Sequence, residues 1–450
     1  MELLRLVSKT IRLCLVRVGA GWMFALLTFN FNRTTIADLG AIAVIVSSLI
    51  GLHHFLSPLQ VFWGHMADRH PIFGYRRSPY ILGSALISSL VFLRLPTVAV
   101  GLGQHALLPT LEAVFLVTIF GIFMAANGSC SNALTADATS ESERGTVVAF
   151  VWATIILSGI ISALVAGSIM PVYDAAKMQQ LYNLTPLIVL VTCIPGLAWM
   201  ERRVTPAEQQ ALLAAQPTKA SQGPTLRVAA EVMRTNPHAR MFFIFVCLEI
   251  TGVFLQDAIL EPFGAEVFGL IQRETSRFQM TWGSGTLLAM LLIGILTTWL
   301  PISKKLIAMI GGLSVAAGLG LIASASALHQ LSLIQPGLLL MGGGLGLLNV
   351  GAVSLMMEMT IAGQVGFYMG LWGMAHGLGN GIANIGSGAL HTGLIETGLL
   401  TPQVAYSLIF GFEALVMVAS VGVLRTINVR EFKGLSRSDI GQSLALDTVG

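Results

Sequence analysis

Four carboxylic acids stand within or at the end of apolar segments of this 450-residue chain, where a charge is costly. Glu249 and Glu413 each lie about ten residues into a long apolar run, and Asp257 and Glu261 close the first of these runs in FLQDAILEPFGAEVFG. A charge at the centre of a bilayer costs roughly 2.5–3.5 kcal/mol on insertion scales, so such groups are usually paired, neutralised or functional. Burial also makes a carboxylate easier to protonate, which lets it bind and release protons near neutral pH. We interpret these four residues as candidates for gating or proton coupling.

The same stretch is expected to end a helix. Asp257 and Glu261 are one turn apart and share a face, and Glu249 is spaced to fall on the face of Asp257. The residue before a proline is pushed out of helical geometry, so Glu261-Pro262 should end the helix. The sequence predicts that Glu266 belongs to a solvated helix end.

A polar stripe runs along the segment GFYMGLWGMAHGLGNGIANIGSGAL. His376, Asn380, Asn384, Ser387 and His391 recur at helical spacing and therefore share one face. Polar groups in lipid must find partners, so this face should point to the protein interior or to a cavity. For His376, a hydrogen bond to a neighbouring helix is the plain alternative to a ligand-binding role.

Two adjacent histidines, His53 and His54, lie near the middle of the second apolar segment. Neighbouring positions on a helix point in different directions, so one ring should point away from the other. A structural role and a binding role are both open for each of them.

The loop GHMADRHPIFGYRRSPY carries a dense set of charges between two apolar segments. Gly64 would allow close helix approach, Asp68 could pair with an arginine or cap a helix, and Arg69, Arg76 and Arg77 are basic. The pattern favours a gating or structural ion-pair role, and simple anchoring of the loop by basic residues is the alternative.

The composition defines the class of protein in which these residues act. Hydrophobic residues make up 54% of the chain and charged residues only 10%, whereas soluble proteins are about a quarter charged. Apolar runs of roughly 20 residues, the length that crosses a bilayer as a helix, recur throughout. Twelve membrane spans are predicted near 18–34, 40–62, 79–97, 110–132, 146–170, 181–200, 240–260, 282–300, 304–326, 332–357, 366–390 and 403–425.

The distribution of basic residues orients these spans. Placing the N-terminus inside puts 20 of the 25 Lys and Arg residues on the cytoplasmic side, as the positive-inside rule requires. Both termini are therefore predicted to be cytoplasmic. The predicted organisation is a six-helix half (1–200), a cytoplasmic loop (201–239) with a short surface helix over 206–215, a second six-helix half (240–425) and a cytoplasmic tail (426–450). The basic N-terminal segment is expected to be retained, since it lacks a cleavage site.

The two halves repeat each other faintly. Asp137-Ala-Thr139 and Glu358-Met-Thr360 each begin eight residues before a glycine, and a tryptophan follows each glycine. Two six-span halves with an internal repeat are typical of the major facilitator superfamily, whose binding site lies near the midplane between the halves. The predicted fold class is an all-α polytopic membrane protein with this 6+6 architecture.

Motifs of several other protein classes are missing from the sequence. It contains no phosphate-binding P-loop, no HExxH and no metal-spaced Cys/His cluster, and its four cysteines form no CxxC pair. We therefore expect no enzyme activity, no ATP use, no bound metal and no nucleic-acid partner.

Several blocks resemble the PucC/LhaA family, the bacteriochlorophyll-delivery branch of the facilitator superfamily. The resemblance is carried by Asn32-Arg33 with Asp38-Leu39-Gly40, by SPLQVFWGHMADRHPIFGYRRSPYI, by Gln256, Asp257, Leu260, Glu261, Pro262 and Gly264, and by AGQVGFYMGLWG. The chain departs from the family pattern at Asp38, Gln60 and Ala265, which is consistent with a divergent subgroup.

The resemblance implies a role in assembling light-harvesting or photosystem complexes. Chlorophyll or bacteriochlorophyll would be bound or transferred, and nascent pigment-binding subunits and chlorophyll synthase would be partners. The location would be a bacterial inner, intracytoplasmic or thylakoid membrane. The candidate pigment contacts are His376, Asn380, Asn384, His53 and His54, because an axial nitrogen or oxygen can complete the coordination of a chlorin magnesium.

Two other functions stay open. A proton-coupled secondary transporter of a small amphipathic or anionic solute would use Glu249, Asp257 and Glu413 as titrating groups. A scaffold without transport activity would dock antenna subunits through its lipid-facing helices.

Overall fold

The computed structural model describes residues 2–205, 207–208, 232–299, 302–359, 365–429 and 431–432. The described residues form helices and no strand; one isolated β-bridge joins Ile72 and Tyr75. The all-α fold class is confirmed. The surface helix expected over 206–215, most of the central loop and most of the tail lie outside the described residues.

The helices of the first half follow the predicted spans closely. They are α1 (Glu2–Ala25), α2 (Ala43–Phe55), α3 (Leu59–Arg69), α4 (Ser78–Val91), α5 (Leu95–Gly103), α6 (Leu107–Ala138), α7 (Glu141–Ile169) and α8 (Ala175–Leu197). Two π-helical stretches, Leu26–Phe31 and Thr34–Asp38, extend α1.

The helices of the second half follow the same pattern. They are α9 (Pro237–Phe254), α10 (Leu260–Phe268), α11 (Gln272–Trp299), α12 (Lys304–Leu328), α13 (Ile334–Glu358), α14 (Val365–His391) and α15 (Pro402–Thr426). A 3₁₀ turn, Leu255–Ala258, links α9 to α10, and a π-helical turn, Thr392–Glu396, follows α14.

Among the described residues, ten helices are long and apolar enough to cross a membrane, and α2 is a shorter apolar helix. The chain is a multi-pass integral membrane protein. The exact number of twelve spans and the cytoplasmic termini stay predictions.

The second predicted span is broken in the structure. The helix α2 ends at Phe55 and α3 begins at Leu59, directly after Pro58, a residue that is well tolerated at the start of a helix and disfavoured in its interior. His53 and His54 therefore lie in the last turn of α2 and not at mid-span. The prediction that their rings diverge is wrong: the ring centroids are 3.9 Å apart and the ring planes are inclined by 37°.

The prediction that Glu261-Pro262 ends a helix is also wrong. The helix α9 ends earlier, at Phe254, and the chain restarts as α10 with Glu261 and Pro262 in its first turn. Proline is tolerated there because the amide hydrogens of the first turn have no partner within the helix. Gly269, in the left-handed conformation at φ 66°, ends α10.

Contacts divide the chain into two compact units. The first comprises Met1–Gln216, Asp257–Gly283 and Ser387–Leu399; the second comprises Pro217–Gln256, Ser284–Gly386 and Leu400–Gly450. In the first unit α1 packs on α7 and α8. The buried Phe92 ring lies 5.7 Å from the ring of Phe120 and 5.9 Å from that of Tyr182, between centroids. In the second unit α12 packs on α13 and α15.

Candidate functional site

A buried polar cluster lies in the first unit where the extension of α1 meets α10 and α11. We call Asn30, Asn32, Arg33, Glu261 and Gln272 the Arg33 cluster. Arg33 stands between the two π-helical stretches, Glu261 is in the first turn of α10, and Gln272 begins α11. Insertions of π-helix are frequent at functional sites, since they redirect side chains that a regular helix would stack.

Arg33 holds this cluster together. Its side chain is buried and donates through Nη1 to Gln272 Oε1 at 3.1 Å and through Nη2 to the Leu270 carbonyl at 3.0 Å. It also forms an ion pair with Asp38, and the neighbouring Asn32 amide donates to the Ala258 carbonyl. The contacts of Asn32 with Ala258 and of Arg33 with Gln272 join residues more than 200 positions apart in the chain.

Glu261 receives much weaker support. It is 3% exposed, and its Oε2 accepts from Gln272 Nε2 and Thr275 Oγ1, both at 3.4 Å. Within the described part of the chain no cationic nitrogen lies within 4.0 Å of its carboxylate. An ionised Glu261 is therefore poorly compensated, because a buried charge needs close partners.

Four buried polar atoms of the Arg33 cluster have no hydrogen-bond partner in the described part of the chain. They are Asn30 Nδ2, Asn32 Oδ1, Arg33 Nε and Glu261 Oε1. The gap beside them, lined in part by Asn30, Glu261, Gln272 and Ser276, is too small for a water-sized sphere. Each buried atom without a partner costs roughly 1–3 kcal/mol. Binding a proton at Glu261 would reduce the cost of burying its carboxylate, because the charge would be neutralised.

Gly264 explains how α10 approaches the cluster. A Cβ atom at this position would lie 2.8 Å from both Phe278 and Thr275 on α11. Only glycine lets the two helices approach this closely, so the residue sets the position of Glu261 relative to Thr275.

A second polar cluster lies where α14 ends. His391 Nε2 is 3.0 Å from Glu266 Oε2, and its Nδ1 is 3.5 Å from Glu396 Oε1. Glu396 Oε1 also accepts from the Ala43 backbone N–H at 2.7 Å. Burial raises the pKa of Glu396, but the hydrogen bonds from His391 and Ala43 outweigh it and hold that pKa below its ordinary value. The prediction of a merely solvated Glu266 is wrong, because His391 covers it.

The predicted stripe on α14 divides into buried amides and an exposed imidazole. Asn380 and Asn384 are buried, whereas His376 is exposed and lies 6.4 Å, between ring centroids, from Phe254. Asn380 Nδ2 lies 3.1 Å from both the His376 carbonyl and His376 Nδ1. The AGQVGFYMGLWG block before it lies partly outside the described residues.

The carboxylates of the second unit are buried as well. Glu249 is 5% exposed and Glu413 is 0% exposed. Glu413 Oε1 accepts at 2.8 Å from the backbone N–H of Gln256, in the 3₁₀ turn after α9. Asp257, the next residue, is 4% exposed and belongs to the first unit.

The loop between α3 and α4 forms an ion-pair network. Asp68 pairs with both Arg76 and Arg77, and Arg77 Nε also reaches Asp137 at 3.4 Å. Arg69 is exposed at the last residue of α3. A Cβ atom at Gly64 would lie 2.9 Å from Ser129 Oγ. A side chain at this position would therefore crowd one hydroxyl group only.

The sequence interpretation missed Glu201, which completes this network. Its Oε1 accepts from the backbone N–H groups of Arg76 and Arg77 at 2.6 and 2.8 Å, and its Oε2 from the backbone N–H and hydroxyl of Ser78 at 2.7 Å. Glu201 thus satisfies the free N–H groups at the start of α4 and complements its dipole. The signal available was an acidic residue directly after an apolar segment, which does not reveal its distant partner.

The fold is that of known membrane transporters. A D-xylose–proton symporter aligns with a TM-score of 0.66 and 17% identity, over 91% of this chain and 97% of that one. A structure of proton-dependent oligopeptide transporters aligns with a TM-score of 0.68 and 12% identity, over 94% and 98%. At these identities the similarity concerns the fold alone, and it defines the class: a helical membrane protein with the major facilitator architecture.

The amino-acid sequence identifies the family of the chain. The family model described as PUCC protein matches residues 30–432, so the chain belongs to this photosynthesis-related family. Among relatives, the bacteriochlorophyll synthase 44.5 kDa chain of Rhodobacter capsulatus is 27% identical over 95% of this chain and 96% of its own length. Protein PucC of Rhodobacter capsulatus is 23% identical over 92% and 91%.

Two of the blocks that carry the family resemblance contact each other in the structure. The Asn32-Arg33 block bonds to Ala258 and Leu270, which flank the Glu261-Pro262 block. The residues that carry the resemblance in the two halves of the sequence thus build one buried cluster.

Proposed function

We propose that this protein is a membrane assembly factor that binds or delivers chlorophyll-type pigment to nascent light-harvesting or photosystem complexes. The observation that carries the proposal is the PUCC family match over residues 30–432. A relative of nearly equal length named as a bacteriochlorophyll synthase chain supports the link to pigment. Nascent antenna or photosystem subunits and the chlorophyll synthase are the proposed partners.

His376 is the proposed pigment contact on α14. Its ring is exposed, whereas Asn380 and Asn384 on the same helix face are buried. A bound chlorin would supply a magnesium ion, and His376 would hold it through a neutral imidazole nitrogen. Among the described residues no hydrogen bond to His376 Nε2 is formed, so this nitrogen would meet the requirement in the tautomer that leaves it unprotonated.

Asn380 would control which nitrogen of His376 carries the proton. With its amide nitrogen facing Nδ1, as at 3.1 Å here, the proton belongs on Nε2. With the amide turned over, its oxygen accepts from Nδ1–H and leaves the Nε2 lone pair available to a metal. His53 and His54, with their half-buried rings in contact, are the second proposed pigment contact.

The test is an absorption spectrum of the full chain purified in mild detergent from pigment-producing cells. We expect a chlorin band in the wild type, its loss in His376→Ala, and its retention in Asn380→Asp, which offers only acceptors to Nδ1. The control is His105→Asn, because His105 is exposed between α5 and α6 at φ 54°, a conformation that asparagine tolerates.

Absence of pigment from the wild type, together with normal antenna assembly in a deletion strain, would overturn the proposal. Retention of the band in His376→Ala and its loss in a double His53→Ala/His54→Ala variant would move the pigment contact to α2. Crosslinking to antenna subunits without any retained pigment would instead support the scaffold function.

A proton-coupled transporter is the second candidate, favoured by the buried carboxylates. Glu249 and Glu413 lie within membrane-length helices and are almost fully buried, which is unusual unless the charge is used. Uptake driven by a pH gradient into proteoliposomes, abolished by Glu249→Gln, would support it. Uptake that is independent of the gradient would exclude it.

A further inference from the structure

An open groove lies beside the first turns of α1. It encloses about 370 Å³ and is lined by Leu4, Arg5, Ser8, Lys9, Arg12 and Met200. Five of these residues belong to α1, and Met200 follows the end of α8. None of the residues that line the groove belongs to the Arg33 cluster or to the α14 stripe.

The charge of the groove is positive. Arg5, Lys9 and Arg12 are spaced four and three residues apart, which places the three cations on one face of α1. Lys9 is paired with Glu143 at 3.0 Å, whereas Arg5 and Arg12 form no ion pair with another described residue, so these two supply the free positive charge. Glu201, the acidic neighbour of Met200, accepts hydrogen bonds from the backbone at the start of α4.

Arg12 has an unsatisfied donor at this place. Its Nη2 atom is buried and has no hydrogen-bond partner among the described residues. A guanidinium donor without an acceptor is costly, and an anionic oxygen is its preferred partner. The Ser8 hydroxyl adds a neutral donor to the same lining.

An apolar strip runs next to the cations. Leu4 and Ile11 on α1 are 75% and 55% exposed, and Val7 between them is exposed as well. We propose that the groove binds an anionic phospholipid, with the phosphate against Arg5, Ser8 and Arg12 and an acyl chain along Leu4, Val7 and Ile11. A free phosphate would use only the cations, so the apolar strip assigns the groove to the lipid.

The test is native mass spectrometry of the full chain in detergent, titrated with phosphatidylglycerol and with phosphatidylcholine. We expect tighter binding of phosphatidylglycerol, weakened about tenfold or more in Arg5→Gln/Arg12→Gln, because each cation near an anionic lipid contributes roughly a fivefold preference. The matched control is Arg202→Gln/Arg240→Gln, which removes two exposed arginines outside the groove and should leave the preference unchanged. Lys9 is retained so that its pair with Glu143 stays intact.

Equal phosphatidylglycerol binding by the wild type and the groove variant, or equal weakening in both variants, would overturn the proposal. Displacement of the lipid by millimolar inorganic phosphate would also overturn it, because the site would then belong to free phosphate. If the glutamine variant does not fold, Arg5→Lys/Arg12→Lys keeps the charges and must retain the preference.

Discussion

Glu201 and Glu261 are two glutamates of the first unit with opposite environments. Glu201 accepts four hydrogen bonds of 2.6–2.8 Å from the start of α4, and both of its oxygens are used. Glu261 accepts two bonds of 3.4 Å at one oxygen, and its other oxygen is buried without a partner. The better compensated carboxylate is the less buried one.

Glu201 is therefore a structural carboxylate, whereas the fold does not need the carboxylate of Glu261. Glu201 stabilises a helix start through these hydrogen bonds, and removing it leaves backbone N–H groups without acceptors. Glu261 contributes little in this arrangement, since long bonds do not offset the burial of a charge. We propose that Glu261 is retained for a protonation or gating step, which agrees with its place in a block that carries the family resemblance.

Removing Arg33 should have the largest effect on stability. Arg33→Met leaves the Leu270 carbonyl and Gln272 without their donor, and we expect a loss of about 3–5 kcal/mol in the free energy of unfolding. Denaturant titration in mixed micelles measures it. The control is Arg94→Met, whose pair with Glu112 is exposed and should contribute less than about 1 kcal/mol. Equal losses of stability in the two variants would contradict the conclusion that Arg33 holds the Arg33 cluster together.

Removing Glu201 should come next. Glu201→Ala removes the acceptors of Arg76, Arg77 and Ser78 at the start of α4, so we expect a loss of about 2 kcal/mol, measured in the same titration. Glu201→Gln keeps one acceptor oxygen and should lose less. A glutamine variant as unstable as the alanine variant would show that charge, and not hydrogen bonding, dominates there.

Two glycines test the packing around the same regions. Gly264→Ala forces a Cβ atom against Phe278 and Thr275, so we expect a loss of about 1–3 kcal/mol. Gly64→Ala meets only the Ser129 hydroxyl, which can rotate, and should cost less than about 1 kcal/mol. Thermal midpoints of the two purified variants compare them; the reverse order would refute the close packing of α10 on α11.

Much of the fold was predictable because apolar runs of helix length are a strong local signal. The predicted spans agree with the helices except at three breaks, after Phe55, after Val91 and after Phe254, where hydropathy continues although the helix stops. Pro58 was a local signal of the first break. Pro262 was misinterpreted, because a proline is as compatible with the first turn of a new helix as with the end of an old one.

The site was less predictable because its contacts are long-range. The burial of Glu249 and Glu413 followed from their positions inside apolar segments, whereas Asp257 and Glu261, at the end of such a segment, are buried as well. The approach of Arg33 to Gln272, 239 positions away, and of Glu201 to the start of α4 depends on helix packing, which no local pattern encodes.

The most direct test of the account is Glu261→Gln in the native host. Glutamine keeps the size and one acceptor, so we expect a change in unfolding free energy within about 1 kcal/mol, because a poorly compensated charge is removed. A deletion strain expressing Glu261→Gln at the wild-type protein level should fail to restore the antenna absorption of its membranes. Restoration to the wild-type level would contradict a functional role for Glu261, and a destabilisation as large as that of Glu201→Ala would make it a structural residue.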